Sequence, residues 1–408
     1  MDLSWPAEVE AYRKDVKAFL RRELPAEWEG YGALSPEERP AFAQAWRDLL
    51  RANGRLAVSW PREYGGGGLS VLEQSVMMEE FTRAGAPTMP LPSDSQGLIL
   101  IGPTILACGN DAQREYFLPK ILSGEHRWAQ GFSEPGAGSD LAGLRTSATR
   151  GPAGWVVNGQ KVWQTAGDVA NWLYVLARTN PEAPKHKGIS LLLLPVDQPG
   201  VDVRPIRSMT GDFEFCEVFL TDAVTAAEHV VGDVDTGWSV AMTLLGLERG
   251  ASASAAAVSS RIELERLATL ARARGLADDP LFRQQFGWCV SKVEIMRFLA
   301  LRALTTAQAG GPAGPEASLL KIYGSEYHKR VTELAMSVLG MDGMVASGAP
   351  GVASLGPDPL GAPNTPAAWE NVFLTARAAT IYGGSSQIQR NVLAQRVLGL
   401  PREPAVST

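Results

Sequence analysis

A glycine-rich segment, Ser133-Glu-Pro-Gly-Ala-Gly-Ser-Asp140, holds the residue types best suited to binding a polar ligand. Gly136 and Gly138 permit tight turns, and the backbone N–H groups of such turns can bind an anion or the polar edge of a ring. The hydroxyl groups of Ser133 and Ser139 add further donors. The segment therefore predicts a binding loop, although an ordinary glycine-rich turn would contain the same residues.

Two side chains further along, Trp163 and Thr165, could complete a site for a flat aromatic cofactor. Such a cofactor needs hydrogen bonds to its polar edge and an aromatic face to stack against. The same tryptophan could instead belong to the hydrophobic core. On residue types alone, both interpretations stay open.

Glu248 and Arg249 are the only charged residues between Trp238 and Ser260. The apolar and small residues around them predict a buried helix, in which a charge is costly unless it is paired or used. Adjacent residues on a helix do not face each other, so the two need not pair. A carboxylate in apolar surroundings binds a proton more tightly and suits general-base catalysis, whereas a salt bridge to another helix is the structural alternative.

The composition narrows the class of protein. The 408 residues predict two or three domains or one composite unit, and the formal charge of -6 argues against a nucleic-acid binder. The N-terminus shows no secretory signal and no apolar run approaches the roughly 18 residues of a membrane span, so we expect a cytoplasmic protein. No Cys-x-x-Cys pair and no His-Glu-x-x-His motif occurs, which argues against a disulfide framework, a zinc hydrolase or another metal site.

Hydrophobic spacing predicts a helical region over residues 1–125. The capping-box pattern of Ser70 and Glu73 predicts a helix to about residue 83, and residues 111–122 predict another that ends before Gly124. The glycines at 65–68 lack the Gly-Lys-Ser/Thr ending of a phosphate loop, so we interpret them as a bend.

Residues 126–234 predict a β region. Asn158-Gly159, between Trp155-Val-Val and Gln160-Lys-Val-Trp, predicts a hairpin with a two-residue turn. Because strands follow strands without intervening helices, an antiparallel barrel or sandwich is favoured over a βαβ unit. Further strands are predicted at 172–178, 188–196 and 213–220.

Residues 235–408 predict a second helical region, a four-helix bundle, with an irregular loop at 347–366. The sequence therefore predicts an α+β fold with an N-terminal helical domain, a central β domain and a C-terminal helical bundle, over 1–125, 126–234 and 235–408. The four helices are expected at about 237–274, 281–309, 316–340 and 366–399.

The chain resembles the acyl-CoA dehydrogenase family over nearly its whole length. Phe132 to Trp163 is similar to the family's Thr-Glu-Pro-x-Ala-Gly-Ser-Asp signature followed by Asn-Gly-x-Lys-x-Trp, and Ile381 to Arg402 resembles its last helix. The resemblance implies FAD as cofactor and oxidation of an acyl-CoA thioester to trans-2-enoyl-CoA. It also implies electron transfer to an electron-transfer flavoprotein, and a homo-oligomer or a heterotetramer.

The resemblance also assigns site residues by matching motifs. Ser139, Arg249 and Gly383 would contact the substrate, the last through its backbone N–H to the thioester oxygen. Arg283 and Phe286 match an Arg-x-x-Phe element that reaches the FAD of a neighbouring subunit. The full set implied for FAD is Phe132, Ser133, Gly138, Ser139, Trp163, Thr165, Arg283, Phe286, Gly384, Ser385 and Gln387.

Two departures from the family pattern shape these expectations. Gly383 stands where many members have the catalytic Glu, so the resemblance assigns the base to Glu248, as in isovaleryl-CoA dehydrogenase and actinobacterial steroid-type members. Ser337 and Met341 replace a Gln and a Gly of a FAD-contacting segment. A flavin-poor partner subunit of a heteromer therefore stays open as an alternative. A flavin monooxygenase or nitroalkane oxidase of the same fold also stays open.

Overall fold

The computed structural model describes residues 5–247, 252–309, 311, 314, 316–344 and 361–402. By its internal contacts the chain forms two compact units, which interleave along the sequence. The helical unit comprises Met1–Arg39, Ser70–Pro87 and Arg249–Thr408, and the sheet unit comprises Pro40–Leu69 and Thr88–Glu248. The domain boundaries predicted near residues 125 and 234 stay predictions.

The described residues form eleven α-helices and eight strands, together with short 3₁₀ and π segments. The helices are α1 Ala7–Glu23, α2 Arg39–Ala52, α3 Val71–Ala84, α4 Gly102–Cys108, α5 Asp111–Ser123, α6 Gly237–Leu247, α7 Ser252–Ala273, α8 Pro280–Gln308, α9 Glu316–Leu339, α10 Pro366–Ala376 and α11 Ser386–Val392. The strands are β1 Trp128–Gly131, β2 Ser147–Gly151, β3 Gly154–Thr165, β4 Trp172–Arg178, β5 Ile189–Pro195, β6 Val201–Ile206, β7 Phe215–Thr225 and β8 Val230–Val231. The α+β class, with a β region between two helical regions, is confirmed.

The helical unit packs α7, α8, α9 and α10 around one core, which includes Leu267, Val293, Val331 and Trp369. Helix α3 begins with the predicted capping box, in which Ser70 accepts from the Glu73 N–H and the Glu73 carboxylate accepts from the Ser70 N–H. The described parts of the predicted helix over 237–274 are α6 and α7, and residues 248–251 lie outside the described residues.

The prediction of one continuous helix over 366–399 is wrong. Helix α10 ends at Ala376, and a turn separates it from the short helix α11. Gly383 and Gly384 adopt φ angles of 62° and 83°, a left-handed conformation that interrupts a right-handed helix. The predicted loop over 347–366 falls largely on residues 345–360, which lie outside the described residues.

The sheet unit contains one sheet with the strand order β6-β7-β3-β2-β4-β5-β8, and β1 pairs with β4. Most neighbours are antiparallel, while β1 and β2 pair with β4 in parallel. The predicted strands over 172–178, 188–196 and 213–220 correspond to β4, β5 and β7. One cluster of side chains from these strands forms the core, including Trp155, Val175, Leu192 and Val218.

The predicted hairpin at Asn158-Gly159 is wrong, because β3 runs straight through these residues. The turn lies earlier, between β2 and β3, where Gly151 pairs with Gly154. At Gly159 the pairing of β3 with β7 shifts, which marks a β-bulge. A Cβ on Gly159 would lie 2.4 Å from Thr146 Oγ1, so the glycine permits a close approach and not a reversal of the chain. No described helix is both long and apolar enough to cross a membrane.

Candidate functional site

The glycine-rich segment forms a tight turn directly after β1. Glu134 and Ala137 donate their N–H groups to each other's carbonyl oxygen over 3.0 Å, which closes the turn around Gly136. Before the turn, the buried ring of Phe132 meets Tyr174 edge to face, with ring centroids 5.8 Å apart. The turn is therefore fixed both by its own backbone and by the core of the sheet unit.

A buried ion pair lies behind this turn. The Glu134 carboxylate accepts from the Arg145 N–H at 2.7 Å, the Thr146 N–H at 2.8 Å and the Lys161 ammonium at 2.9 Å. Lys161 also donates to the Phe132 carbonyl at 3.1 Å, and its side chain is completely buried. The ammonium thus joins the end of β1 to the middle of β3.

Burial and pairing act in opposite directions on the proton affinities of this pair. Burial lowers the pKa of Lys161 to about 8, against the opposing effect of Glu134. Burial alone would raise the pKa of Glu134, but the Lys161 charge and the hydrogen bonds from Thr146 and Arg145 hold it below its ordinary value. At neutral pH both groups are therefore charged.

A second bulge in β3 turns Trp163 outwards. The register with β7 shifts between Val162 and Gln164, and Trp163 has a φ of 69°. A non-glycine residue in this region costs about 1–3 kcal/mol, and such strain concentrates at functional sites. The indole is 60% exposed and meets Phe215 edge to face at 6.1 Å. The N–H of Val162, just before the bulge, donates to the Ser133 carbonyl at 2.9 Å.

The predicted residues of the sheet unit form what we call the β1–β3 edge, namely residues 132–139 and 161–165. Ser133 and Thr165 are half-buried, whereas Gly138 and Ser139 are exposed. A Cβ on Gly136 or on Gly138 would meet nothing within 4 Å, so open space lies beside the turn. Hydroxyl and N–H donors beside an exposed indole fit a planar, polar-edged ring such as a flavin.

In the helical unit, the predicted residues Gly384, Ser385 and Gln387 lie at the start of α11. Ser385 accepts from the Ile388 N–H at 3.2 Å and so caps this helix. The carbonyl of the substrate candidate Gly383 accepts from Gln389 Nε2 at 3.1 Å, and Gln387 is exposed. The turn is thus held by local hydrogen bonds, and its role in binding stays a prediction.

The other predicted pair, Arg283 and Phe286, lies on α8. Arg283 is exposed, with Nη1 3.7 Å from Asp278 Oδ1. Phe286 stacks on Phe282 at 5.4 Å and lines an open groove of about 420 Å³ between α7 and α8. The contact of this pair with a neighbour's cofactor stays a prediction.

The altered segment around Ser337 and Met341 lies at the end of α9 and in the short turn that follows it. The Ser337 hydroxyl donates to the Glu333 carbonyl of its own helix at 3.0 Å, and Met341 is 77% exposed. Asp342 adds a carboxylate, which lies 2.6 Å from Arg274. Whether this segment contacts FAD stays a prediction.

The predicted base Glu248 and its neighbour Arg249 lie outside the described residues. The preceding helix α6 buries Val240 and Leu244 but exposes 42% of Met242. The prediction of a buried helix is therefore correct for one face of the described part and wrong for the other, which is exposed.

Glu134 and Lys161 were not among the predicted site residues, although both belong to the motifs on which the family resemblance rests. The available signal was Lys161 itself, because a lysine that precedes Val162 and Trp163 in a predicted strand must find a partner if it is buried. The identity of that partner depends on β1 and β3 lying side by side, which no local pattern reveals.

The chain matches three family descriptions that together cover most of its length. They are the N-terminal, middle and C-terminal domains of acyl-CoA dehydrogenase, over residues 6–125, 129–223 and 235–398. Acyl-CoA dehydrogenase IpdE1 of Mycobacterium tuberculosis is 40% identical over 400 residues, or 97% of this chain and 99% of the relative.

Solved structures show the same similarity. The steroid acyl-CoA dehydrogenase Tcur3481-Tcur3483 is 30% identical with a TM-score of 0.80, covering 99% of this chain and 100% of that one. The ChsE4-ChsE5 complex of Mycobacterium tuberculosis is 28% identical with a TM-score of 0.78, covering 98% and 100%. The chain therefore belongs to the acyl-CoA dehydrogenase family, whose members are FAD-dependent oxidoreductases.

Proposed function

We propose that this protein dehydrogenates a ring-bearing, steroid-type acyl-CoA thioester to its trans-2-enoyl-CoA. The observation that carries the proposal is the β1–β3 edge, with its strained, exposed Trp163 and the open space beside Gly136 and Gly138. The substrate class is supported by the 30% identity to a steroid acyl-CoA dehydrogenase over 99% of the chain.

The β1–β3 edge would hold the ring end of FAD. Ser133 and Thr165 offer hydroxyl groups, Trp163 offers a face for stacking, and Phe132 closes the edge from the core side. Gly138 and Ser139 would line the side nearest the thioester. When bound, FAD supplies the acceptor for the hydride that leaves the β-carbon.

Glu248 would remove the α-proton, which ends on its carboxylate while the electron pair forms the new double bond. The thioester oxygen gains negative charge in this step and needs donors. The backbone N–H of Gly383 would provide one, and Arg249 would orient the base. The absence of an acid at Gly383 supports this choice of base, because a glycine there leaves no carboxylate at the alternative position.

An anaerobic titration tests the proposal. The purified protein would receive straight-chain, branched and steroid-type acyl-CoAs in turn, and the flavin absorbance near 450 nm would be followed. We expect bleaching with the steroid-type thioesters, and reoxidation on adding an electron-transfer flavoprotein. Bleaching only by straight chains would overturn the substrate class, and oxygen consumption without any such acceptor would favour the monooxygenase or oxidase alternative.

A second candidate function is that of one subunit in a heteromeric dehydrogenase. It is supported by the segment of Ser337 and Met341, which replace a Gln and a Gly of the family's FAD-contacting pattern. Two of the similar structures, Tcur3481-Tcur3483 and the ChsE4-ChsE5 complex, are each named for two components. Its test is the flavin content and mass of the chain purified alone. Full flavin occupancy in a homo-oligomer would rule this candidate out.

A further inference from the structure

The ion pair of Glu134 and Lys161 has no part in the proposed chemistry, yet it is among the most buried charged pairs of the sheet unit. The side chains of Lys161 and Glu134 are 0% and 7% exposed. Removing two charges from water is expensive, and such pairs often contribute little to stability compared with apolar side chains of the same volume. The location of this pair therefore needs a reason other than stability.

Its hydrogen bonds join three segments at the β1–β3 edge. Lys161 Nζ holds the carbonyl of Phe132, while the Glu134 carboxylate binds the N–H groups of Arg145 and Thr146 just before β2. Together with the bond from Lys161 to Glu134, four hydrogen bonds involve these two side chains. They fix the direction of the Phe132 backbone immediately before Ser133.

The two bulges of β3 lie on either side of Lys161. The bulge at Gly159 lets Thr146 approach to a distance that a side chain would block, and this approach delivers the Thr146 N–H to Glu134. The bulge at Trp163 turns the indole outwards while Lys161 stays inside. The two bulges of β3 therefore allow Lys161 to point into the core while Trp163 faces outwards.

From this geometry we propose that Glu134 and Lys161 are positioning residues of the flavin edge. The pair fixes the Phe132–Ser133 backbone, and the Lys161 ammonium and the Glu134 carboxylate neutralise each other behind that edge. The inference rests on the proposed function, because it assigns the flavin ring to the β1–β3 edge. Without Lys161, the two backbone donors of Arg145 and Thr146 would still favour an ionised Glu134. Without Glu134, a lone ammonium would remain.

The two single variants should therefore shift the flavin reduction potential in opposite directions. A buried anion opposes the gain of electrons nearby, so Lys161→Met should lower the potential. A buried cation favours it, so Glu134→Gln should raise the potential at any pH that keeps Lys161 protonated. Because Glu134 raises the pKa of Lys161, its removal lowers that pKa below the wild-type value of about 8, and the rise in potential should fade as the pH increases. A merely structural role would move both potentials in the same direction or leave both unchanged.

The experiment measures the potential of the flavin-loaded protein by dye-coupled reduction for four variants beside the wild type. The double variant Glu134→Gln/Lys161→Met removes both charges and should return close to the wild-type potential, which keeps the test open if a single variant fails to fold. Asp94→Asn is the matched control, because the Arg47–Asp94 pair is similarly buried, at 1% and 4%. It should lower the thermal stability and leave the potential unchanged.

Opposite shifts for the single variants, with recovery in the double variant, support the proposal. Parallel shifts, or no shift beyond that of Asp94→Asn, overturn it. A double variant displaced as far as a single one also overturns it. A wild-type protein that binds no flavin in any assembly would instead overturn the proposed function, and this inference with it.

Discussion

Two glycine-rich turns were expected to bind the same cofactor, but the structure holds them in different ways. The turn after β1 is closed by paired backbone bonds and joined to β2 and β3 by the buried Glu134–Lys161 pair. The turn before α11 depends on the Ser385 cap and one bond to Gly383, and its neighbour Ile381 is 71% exposed. We infer that the core of the sheet unit holds the first turn, whereas local hydrogen bonds hold the second, so a bound ligand should stabilise the second turn more than the first.

The largest effect on the segments that hold the first turn is expected from a substitution at Gly159. A Cβ there would lie 2.4 Å from Thr146 Oγ1 and 2.7 Å from Thr146 Cα, so Gly159→Ala must displace backbone. We expect the free energy of unfolding to fall by about 3 kcal/mol. Urea denaturation measures this loss, and Gly136→Ala, with nothing within 4 Å, is the control. Equal stabilities for the two variants would contradict the idea that Gly159 permits the close approach.

Acid should weaken the sheet unit through His126. Burial lowers the pKa of His126 from its ordinary value of 6.5 to about 4, so the folded state favours the neutral ring. The unfolded chain then binds more protons between these values, and stability falls as the pH drops from about 6.5 to about 4. The loss is at most about 3 kcal/mol. Thermal unfolding across this range should show a shallower slope for His126→Gln, and an unchanged slope would refute the assignment.

The cap of the second turn should have a smaller effect. Ser385→Ala removes the acceptor for the Ile388 N–H and should lower the free energy of unfolding by about 1 kcal/mol. Ser385→Thr retains a hydroxyl and should preserve most of that stability. If the flavin-loaded protein shows the same loss as the free protein, the suggestion that a ligand stabilises this turn is wrong.

The smallest effect on folding is expected at Gly138. A Cβ at Gly138 meets nothing within 4 Å, so Gly138→Ala should change the unfolding free energy by less than about 0.5 kcal/mol. If the flavin ring occupies that space, the same methyl group should weaken flavin binding about tenfold or more. Titration of the flavin-free protein by fluorescence gives the dissociation constant. An unchanged dissociation constant would show that the flavin ring does not lie beside Gly138.

Local patterns predicted those elements whose cause is local. The capping box of Ser70 and Glu73 and the strand over 172–178 depend on neighbouring residues, and both were predicted correctly. The hairpin predicted at Asn158-Gly159 was wrong because Gly159 allows the close approach of Thr146, which lies in a different segment of the chain. The pairing of Glu134 with Lys161 depends on β1 and β3 being adjacent. The sequence motif could therefore predict a site, but not the ion pair that supports it.

The most direct test of the central claim is single-turnover flavin reduction in the Glu248→Gln protein, followed by anaerobic stopped flow with a thioester that bleaches the wild type. We predict that flavin content and substrate binding persist while the reduction rate falls by about 10³-fold, as expected for loss of a general base. A rate within a few-fold of the wild type would show that another group removes the proton and would contradict the account.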